Sequence, residues 1–240
     1  MSNSQAPLTL VMPAFNEEST VAAAIERVLA QPFVGELIIV DDASTDSTPH
    51  ILEQFTDPRL LVITHAENRG KGAALRTGFP HATLEYVGIQ DADLEYDPAD
   101  LAKLIKPLQE DLADVVYGSR FISGEAHRVL YYWHSIGNRL LTLASNVVTN
   151  INLSDMETCY KIFRRELIQS IPIQEDRFGF EPEITVKVAK SGARIYEVGI
   201  SYAGRSYAEG KKIGWKDGVS AFRCLVKYSW QQRRYPSLAR

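Results

Sequence analysis

Cysteine is scarce: the 240 residues hold two, Cys159 and Cys224. One disulfide is arithmetically open, but there is no disulfide framework, and two lone cysteines make no zinc site. They read as free thiols in a reducing compartment. No run approaches the roughly 18 consecutive apolar residues of a spanning helix. Neither sign of charge dominates: 26 Lys and Arg stand against 30 Asp and Glu, a net charge of −4, so no nucleic-acid partner is expected. The opening MSNSQAP lacks the features of a targeting segment. No G-x-G-x-x-G follows the first apolar run and no G-x-x-x-x-G-K-[ST] occurs, which disfavours a dinucleotide-dependent oxidoreductase and a P-loop enzyme. The expected location is the cytoplasm, with room for peripheral contact at the cytoplasmic face of a membrane.

What is present suits a folded α/β chain. Apolar residues make up 45% and charged residues 23%, and the length allows a substantial core. Leu8–Met12 is a short apolar run that stops at Pro13 and reads as a buried strand. The polar segment 16–20 opens a helix, with Val21, Ala24, Ile25 and Val28 at helical spacing. Strands are expected over 36–40, 59–64, 86–90 and 114–118, with helices between them. That alternation predicts a mostly parallel sheet flanked by helices. Further on, 131–150 reads as a long helix carrying Ile136, Leu140, Leu143, Val147 and Ile151 in one stripe. A strand is expected over 158–163. Pro182 sits in the first turn of a helix that Gly192 stops, 193–202 has strand character, and 215–230 is a terminal helix.

In an open parallel sheet, ligands bind beyond the carboxyl ends of the strands. Three of the first four strands end in polar runs: Pro13 to Glu18, Asp41 to Asp46, and Asp91 to Glu95. Acids repeated along one edge repel each other unless a cation or hydrogen-bond donors lie among them. On an extended segment Asp91 and Asp93 point the same way, which suits a hard divalent cation bridging a diphosphate. By itself, Asp-x-Asp is more often a solvated turn. From Arg205 to Lys216 the only acid is Glu209, and glycines interrupt the segment. A basic loop of this kind could order over a diphosphate.

The combination is far more specific. The strings LVMPAFNEE, LIIVDDASTDST, ENRGKGAALRTGF and IQDADLEYDP resemble the nucleotide-binding half of family 2 glycosyltransferases, in order and spacing. The continuation VVYGSRF, IGNRLLTLASNVVT, SDMETCYKIFRRE and FGFEPEI resembles the polyprenyl-phosphate branch, the dolichyl-phosphate mannose and glucose synthases. The resemblance covers about 8–216 and implies a GT-A fold with a C-terminal helical and basic-loop extension, in one domain over 1–240. Residues 8–120 would form the nucleotide-sugar and metal half, 121–216 the acceptor half and basic loop, and 217–240 a helix and tail. It implies Pro13, Phe15 and Glu17 at the base and ribose, with Asp42 or Asp41 hydrogen-bonded there. Lys71 would lie near the base or sugar, and Asp91 on the nucleotide side. Asp93 would be the main ligand of Mg²⁺ or Mn²⁺, with Glu95 where some relatives carry a further ligand. Arg120 would face the sugar or acceptor phosphate, Asp155 occupies the place of an aspartate proposed as a base, and Arg205 and Lys211 would cover the diphosphate.

Each residue has a plainer reading. Pro13 could only end a strand, Glu17 could be a helix N-terminal acid, and Asp46 a turn or cap residue. Lys71, Arg205 and Lys211 could be solvated, Arg120 could be a structural ion pair, and Asp155 a turn residue. Glu181 and Glu183 fit a helix N-terminus. The long helix could be core or could lie at a membrane interface. The expected activity is inverting hexosyl transfer from a nucleoside-diphosphate sugar, of the GDP-mannose or UDP-glucose type, to a polyprenyl phosphate. The alternatives are a soluble saccharide or other hydroxyl acceptor, and an inactive nucleotide-sugar-binding scaffold.

Overall fold

The computed structural model describes residues 6–122, 128–129, 131–204, 215–231 and 235. Its centre is a seven-stranded sheet in the order β3-β2-β1-β4-β6-β5-β7. The strands are β1 (Leu8–Ala14), β2 (Val34–Asp41), β3 (Leu60–Thr64), β4 (Tyr86–Ile89), β5 (Val115–Ser119), β6 (Lys161–Arg164) and β7 (Ile195–Gly199). Every pairing is parallel except those of β6, which runs antiparallel to both β4 and β5. β1 and β2 are almost wholly buried, as near-continuous apolar strands covered on both faces should be. β3 lies at the edge and is partly exposed.

The helices are α1 (Val21–Leu29), α2 (Thr48–Leu52), α3 (Lys71–Gly78), α4 (Leu101–Gln109), α5 (Tyr132–Thr149), α6 (Arg165–Ser170), α7 (Phe180–Ser191) and α8 (Trp215–Trp230). α1 buries Val21, Ala24, Ile25 and Val28, the stripe its spacing predicts. α7 stops at Gly192, whose φ of 72° makes a left-handed cap. Among the described residues no helix is long and apolar enough to cross a membrane.

Three local expectations change. β1 does not stop at Pro13: it runs to Ala14, with Pro13 opposite Val40. β4 pairs with β1 only as far as Val11, so a residue lacking an N–H is tolerated beyond that point. α1 begins at Val21 rather than within 16–20, because Asn16 (φ 53°) turns the chain first. β6 starts at Lys161, three residues later than expected.

The fourth difference is the largest. The apolar stripe of α5 faces outward: Leu140, Leu143 and Val147 are 60%, 59% and 74% exposed. The helix instead buries the polar residues Asn138, Thr142 and Ser145. Asn138, Thr142 and the half-buried Asn146 hold the turn before β6: Asn138 Nδ2 donates to Asp155, Thr142 Oγ1 accepts from the Met156 amide at 3.2 Å, and the Asn146 side chain exchanges two hydrogen bonds with the Leu153 backbone. α8 packs beside α5 and α7 through Ala221, Cys224, Leu225 and Tyr228. Its own stripe of Val219, Phe222, Val226 and Trp230 is exposed.

The order of the first four strands reverses across β1, with β2 on one side and β4 on the other. The crevice at the carboxyl ends of β1 and β4 is therefore the switch point at which such sheets bind ligands. α3 enters this crevice with its first turn pressed onto 175–177. The Ala73 amide donates to the Asp176 carbonyl at 3.0 Å, and a Cβ on Gly72 would lie 2.2 Å from the Glu175 carbonyl oxygen. Gly72→Ala must displace that backbone and should destabilise the protein by about 1–3 kcal/mol. Equilibrium urea unfolding checks this through a lowered midpoint at constant slope, and an unchanged midpoint would contradict the close approach.

Candidate active site

The crevice opens into a cavity of about 1080 Å³. Pro13, Phe15, Asp42, Lys71, Asp91, Asp93, Glu95 and Arg120 all line it, brought from four strand ends and the start of α3. Trp133, Gly137, Leu140 and Leu141 of α5 and Val219 and Phe222 of α8 line it as well. One space thus runs from an acid-rich strand edge to an exposed apolar helix pair.

The first and second strand ends are tied together before they reach it. Thr45 N donates to Asn16 Oδ1 at 2.8 Å, Ser47 N to Glu18 Oε2 at 2.9 Å, and Glu18 N to Asp46 Oδ2 at 3.1 Å. Asp46 also accepts from Thr48 N at 2.9 Å, so it is a turn residue. Glu17 sits in the same turn, its amide on Thr48 Oγ1 and its carboxylate accepting from Thr20 Oγ1, and does not line the cavity.

Of the paired aspartates, Asp42 lines the cavity, but its carboxylate is engaged from behind. It meets His65 Nδ1 at 2.7 Å and accepts from the amides of Arg69 (3.0 Å) and Gly70 (2.6 Å). It thereby fixes the loop that leads into α3. Asp41 is buried outside the cavity lining, with Oδ2 lacking a hydrogen-bond partner among the described residues.

Lys71, the first residue of α3, reaches between two acids: its ammonium is 2.9 Å from Asp91 Oδ1 and 3.2 Å from Glu181 Oε1. Burial opposes its charge, but Asp91, Cys159 and Glu181 outweigh burial and hold its pKa well above the lysine range. Asp93 Oδ1 accepts from the Glu95 amide at 3.1 Å across Leu94, which is held at φ 63°. Glu95 Oε2 accepts from Tyr202 Oη at 2.5 Å. The donor set is all carboxylate oxygen, which fits a hard cation. Among the described residues no three metal-ligating side chains form a ready cage.

Arg120, at the end of β5, forms a two-pronged pair with Asp155: Nε to Oδ2 at 2.6 Å and Nη2 to Oδ1 at 2.7 Å. The Arg120 amide and Asn138 Nδ2 also donate to this carboxylate. Asp155 is fully buried and lies behind Arg120, outside the cavity lining. Burial works to raise its pKa, yet the Arg120 charge and these hydrogen bonds hold it below the aspartate range. A carboxylate so engaged is a poor proton acceptor. The guanidinium stacks 5.1 Å from the Tyr202 ring.

Several cavity residues went unsingled in the sequence. Tyr96, Cys159 and Tyr202 line it, as does Glu157. Burial first, then the Glu181 charge, pushes the Glu157 carboxyl up to about 8. Glu157 and Cys159 share the string SDMETCYKIF two residues apart, and that spacing was the available signal. Glu181 and Glu183 divide: Glu183 accepts from the amides of Gln174 and Glu175 and pairs with Lys187, whereas Glu181 faces the cavity. Arg205 and Lys211 lie outside the described residues.

Comparison with known proteins agrees with this architecture. Residues 9–171 match the family model described as Glycosyl transferase family 2. A glycosyltransferase AglJ from Haloferax volcanii is 30% identical over 197 residues, covering 80% of this chain and 62% of that protein. A dodecaprenyl-phosphate galacturonate synthase from Rhizobium johnstonii is 28% identical over 211 residues, covering 85% and 61%. The chain therefore spans about three fifths of the length of each of these two relatives. A crystal structure of glucosyl-3-phosphoglycerate synthase from Mycobacterium tuberculosis, with Mn²⁺, UDP and glucosyl-3-phosphoglycerate, aligns with a TM-score of 0.70 at 20% identity, covering 92% of this chain and 79% of that one. The fold is that of the GT-A glycosyltransferases. The chain belongs to glycosyltransferase family 2.

The pair Arg120–Asp155 makes a pH-dependent prediction. A carboxylate held below its ordinary value near 3.8 contributes stability that is present above that value and lost as pH falls through the folded-state value. Asp155→Asn leaves Arg120 buried without its counter-charge and should cost about 3–5 kcal/mol at pH 7. Urea midpoints measured from pH 7 to 3 should show the gap to wild type narrowing below the ordinary aspartate value. A gap independent of pH would contradict the charge assignment.

Proposed function

We propose that the protein is an inverting glycosyltransferase that moves a hexose from a nucleoside-diphosphate sugar to a polyprenyl phosphate at a membrane surface. The observation that carries this reading is the continuity of the cavity. Carboxylates and Lys71 stand at one end, and the outward apolar faces of α5 and α8 at the other. A donor with a charged diphosphate suits the first end, and a prenyl chain the second. The Rhizobium johnstonii relative is likewise named for a polyprenyl phosphate, although its named sugar, galacturonate, is a hexuronic acid. On this reading the enzyme works at the cytoplasmic face of the membrane.

Pro13 and Phe15 would hold the base, with Glu17, Asp41 and Asp42 shaping the loops around base and ribose. Asp93 would be the main ligand of Mg²⁺ or Mn²⁺, with Asp91 or Glu95 beside it and water and donor phosphate filling the rest of the shell. When bound, the ion would supply Lewis-acid stabilisation of the departing diphosphate. Arg205 and Lys211 are assigned to the same charge. The acceptor phosphate is already an anion near neutral pH, so no base need remove a proton from it. Arg120, aimed by Asp155, orients it for attack. A phosphate oxygen bonds to the anomeric carbon from the face opposite the leaving group. The bond from that carbon to the diphosphate breaks, its electron pair leaves with the diphosphate, and the configuration inverts. Asp155 acts here as a positioning residue.

Calorimetry with UDP-glucose and GDP-mannose in the presence of Mn²⁺ should show tight binding of one donor, weakened about tenfold or more in Asp93→Ala. Radiolabelled donor incubated with undecaprenyl phosphate should give a solvent-extractable product. A product made only with a soluble acceptor, such as 3-phosphoglycerate, would refute the lipid reading and keep the donor half. Absence of donor binding by folded wild type would refute both.

The apolar face gives a separate test. Leu143→Asp combined with Trp230→Ala should weaken sedimentation with anionic phospholipid vesicles by about tenfold and leave donor binding unchanged. Equal sedimentation of variant and wild type would remove the membrane-surface assignment.

A further inference from the structure

The mechanism leaves two carboxyl groups of the cavity without a role. Glu157 comes from the segment before β6, and Glu181 is the second residue of α7. Glu181 is only 4% exposed and lines the cavity. Its Oε1 is anchored by Lys71 at 3.2 Å, while its Oε2 has no hydrogen-bond partner among the described residues. Glu157 lines the same cavity, and its Oε1 is likewise buried and without a partner among the described residues. Native structures rarely leave such atoms unsatisfied, and those that do commonly reserve them for a ligand.

The chemistry of these groups restricts what that ligand is. Carboxyl oxygens accept hydrogen bonds. A diphosphate brings only negative acceptors and is repelled, and a prenyl chain brings no donors. A ribose lies with its base at the other strand ends. The part of a sugar nucleotide rich in O–H donors is the transferred ring. Resting on the donor reading above, we propose that Glu157 and Glu181 form the subsite that recognises the hydroxyls of the transferred sugar and restrict it to a neutral hexose, against a hexuronic acid. Lys71 ties this subsite to the donor end, because the same ammonium holds Glu181 and Asp91. A uronate carboxylate placed against Glu181 would meet like charge in a site shielded from water.

The experiment is calorimetry with Mn²⁺ and the probes UDP, UDP-glucose and UDP-glucuronate, or GDP, GDP-mannose and GDP-mannuronate if guanosine is the preferred base. Wild type should bind the neutral sugar nucleotide at least about tenfold tighter than the uronate, and this arm needs no variant. Glu157→Gln and Glu181→Ala should each weaken the neutral sugar nucleotide about tenfold while leaving the plain diphosphate within about twofold. Retained diphosphate binding also reports that each variant is folded. Equal binding of neutral and uronate donors, or equal losses for sugar nucleotide and diphosphate, would overturn the subsite. Failure of wild type to bind any of the probes would overturn the donor reading itself, and this inference with it.

Discussion

The Arg120 guanidinium and the Asp155 carboxylate meet out of water, and the cavity lining around Arg120 is organised by that pair. The carboxylate sits on a turn whose amides at Ser154 and Asp155 are held by Glu197 of β7, at 2.9 and 3.0 Å. The guanidinium belongs to the end of β5, and Asn138 brings in α5. Three elements distant in sequence therefore share one charge pair. Such a pair adds little net stability, because desolvating two ions offsets most of their attraction. Its consequence is geometric: with a partner on each prong, the Arg120 fork has one orientation and faces the cavity.

The same turn explains α5. A helix in a soluble protein ordinarily buries its apolar stripe. Here the turn before β6 presents backbone amides and a carboxylate, and these groups require partners. Asn138, Thr142 and Asn146 provide them, so the polar face of α5 turns inward and the leucine stripe turns out. α8, packed alongside, adds Val219, Phe222, Val226 and Trp230 to the same exterior. Contiguous exposed apolar surface of this kind is the sort that commonly meets a partner. It borders the cavity through Leu140, Val219 and Phe222, so the acid-lined strand ends and the apolar helix faces share one space.

Legibility followed the range of the interactions. The first four strands and α1, α3 and α4 could be read because short apolar runs and the turn segments between them are local features. The ligand edge could be read because parallel sheets place ligands at one end. Pro13 was misjudged at strand scale, since its tolerance depends on where β4 stops. Glu181 and Glu183 looked alike on a helix N-terminus, yet one satisfies backbone amides and the other faces an empty space. Glu157 stands two residues before Cys159, and that spacing alone does not separate a cavity residue from a turn residue.

By itself, the sequence determined the α/β alternation, the acid-lined strand ends and, through ordered strings, membership of glycosyltransferase family 2. These depend on short-range periodicity and on residue types that recur at set spacings. Only the tertiary structure decided that Asp42 braces a loop, that Asp155 is spent on Arg120, that α5 turns its leucines outward and that Glu157 and Glu181 keep unmet oxygens. Each of these depends on which groups from distant segments satisfy a buried charge or amide, and that accounting closes only when the chain is folded.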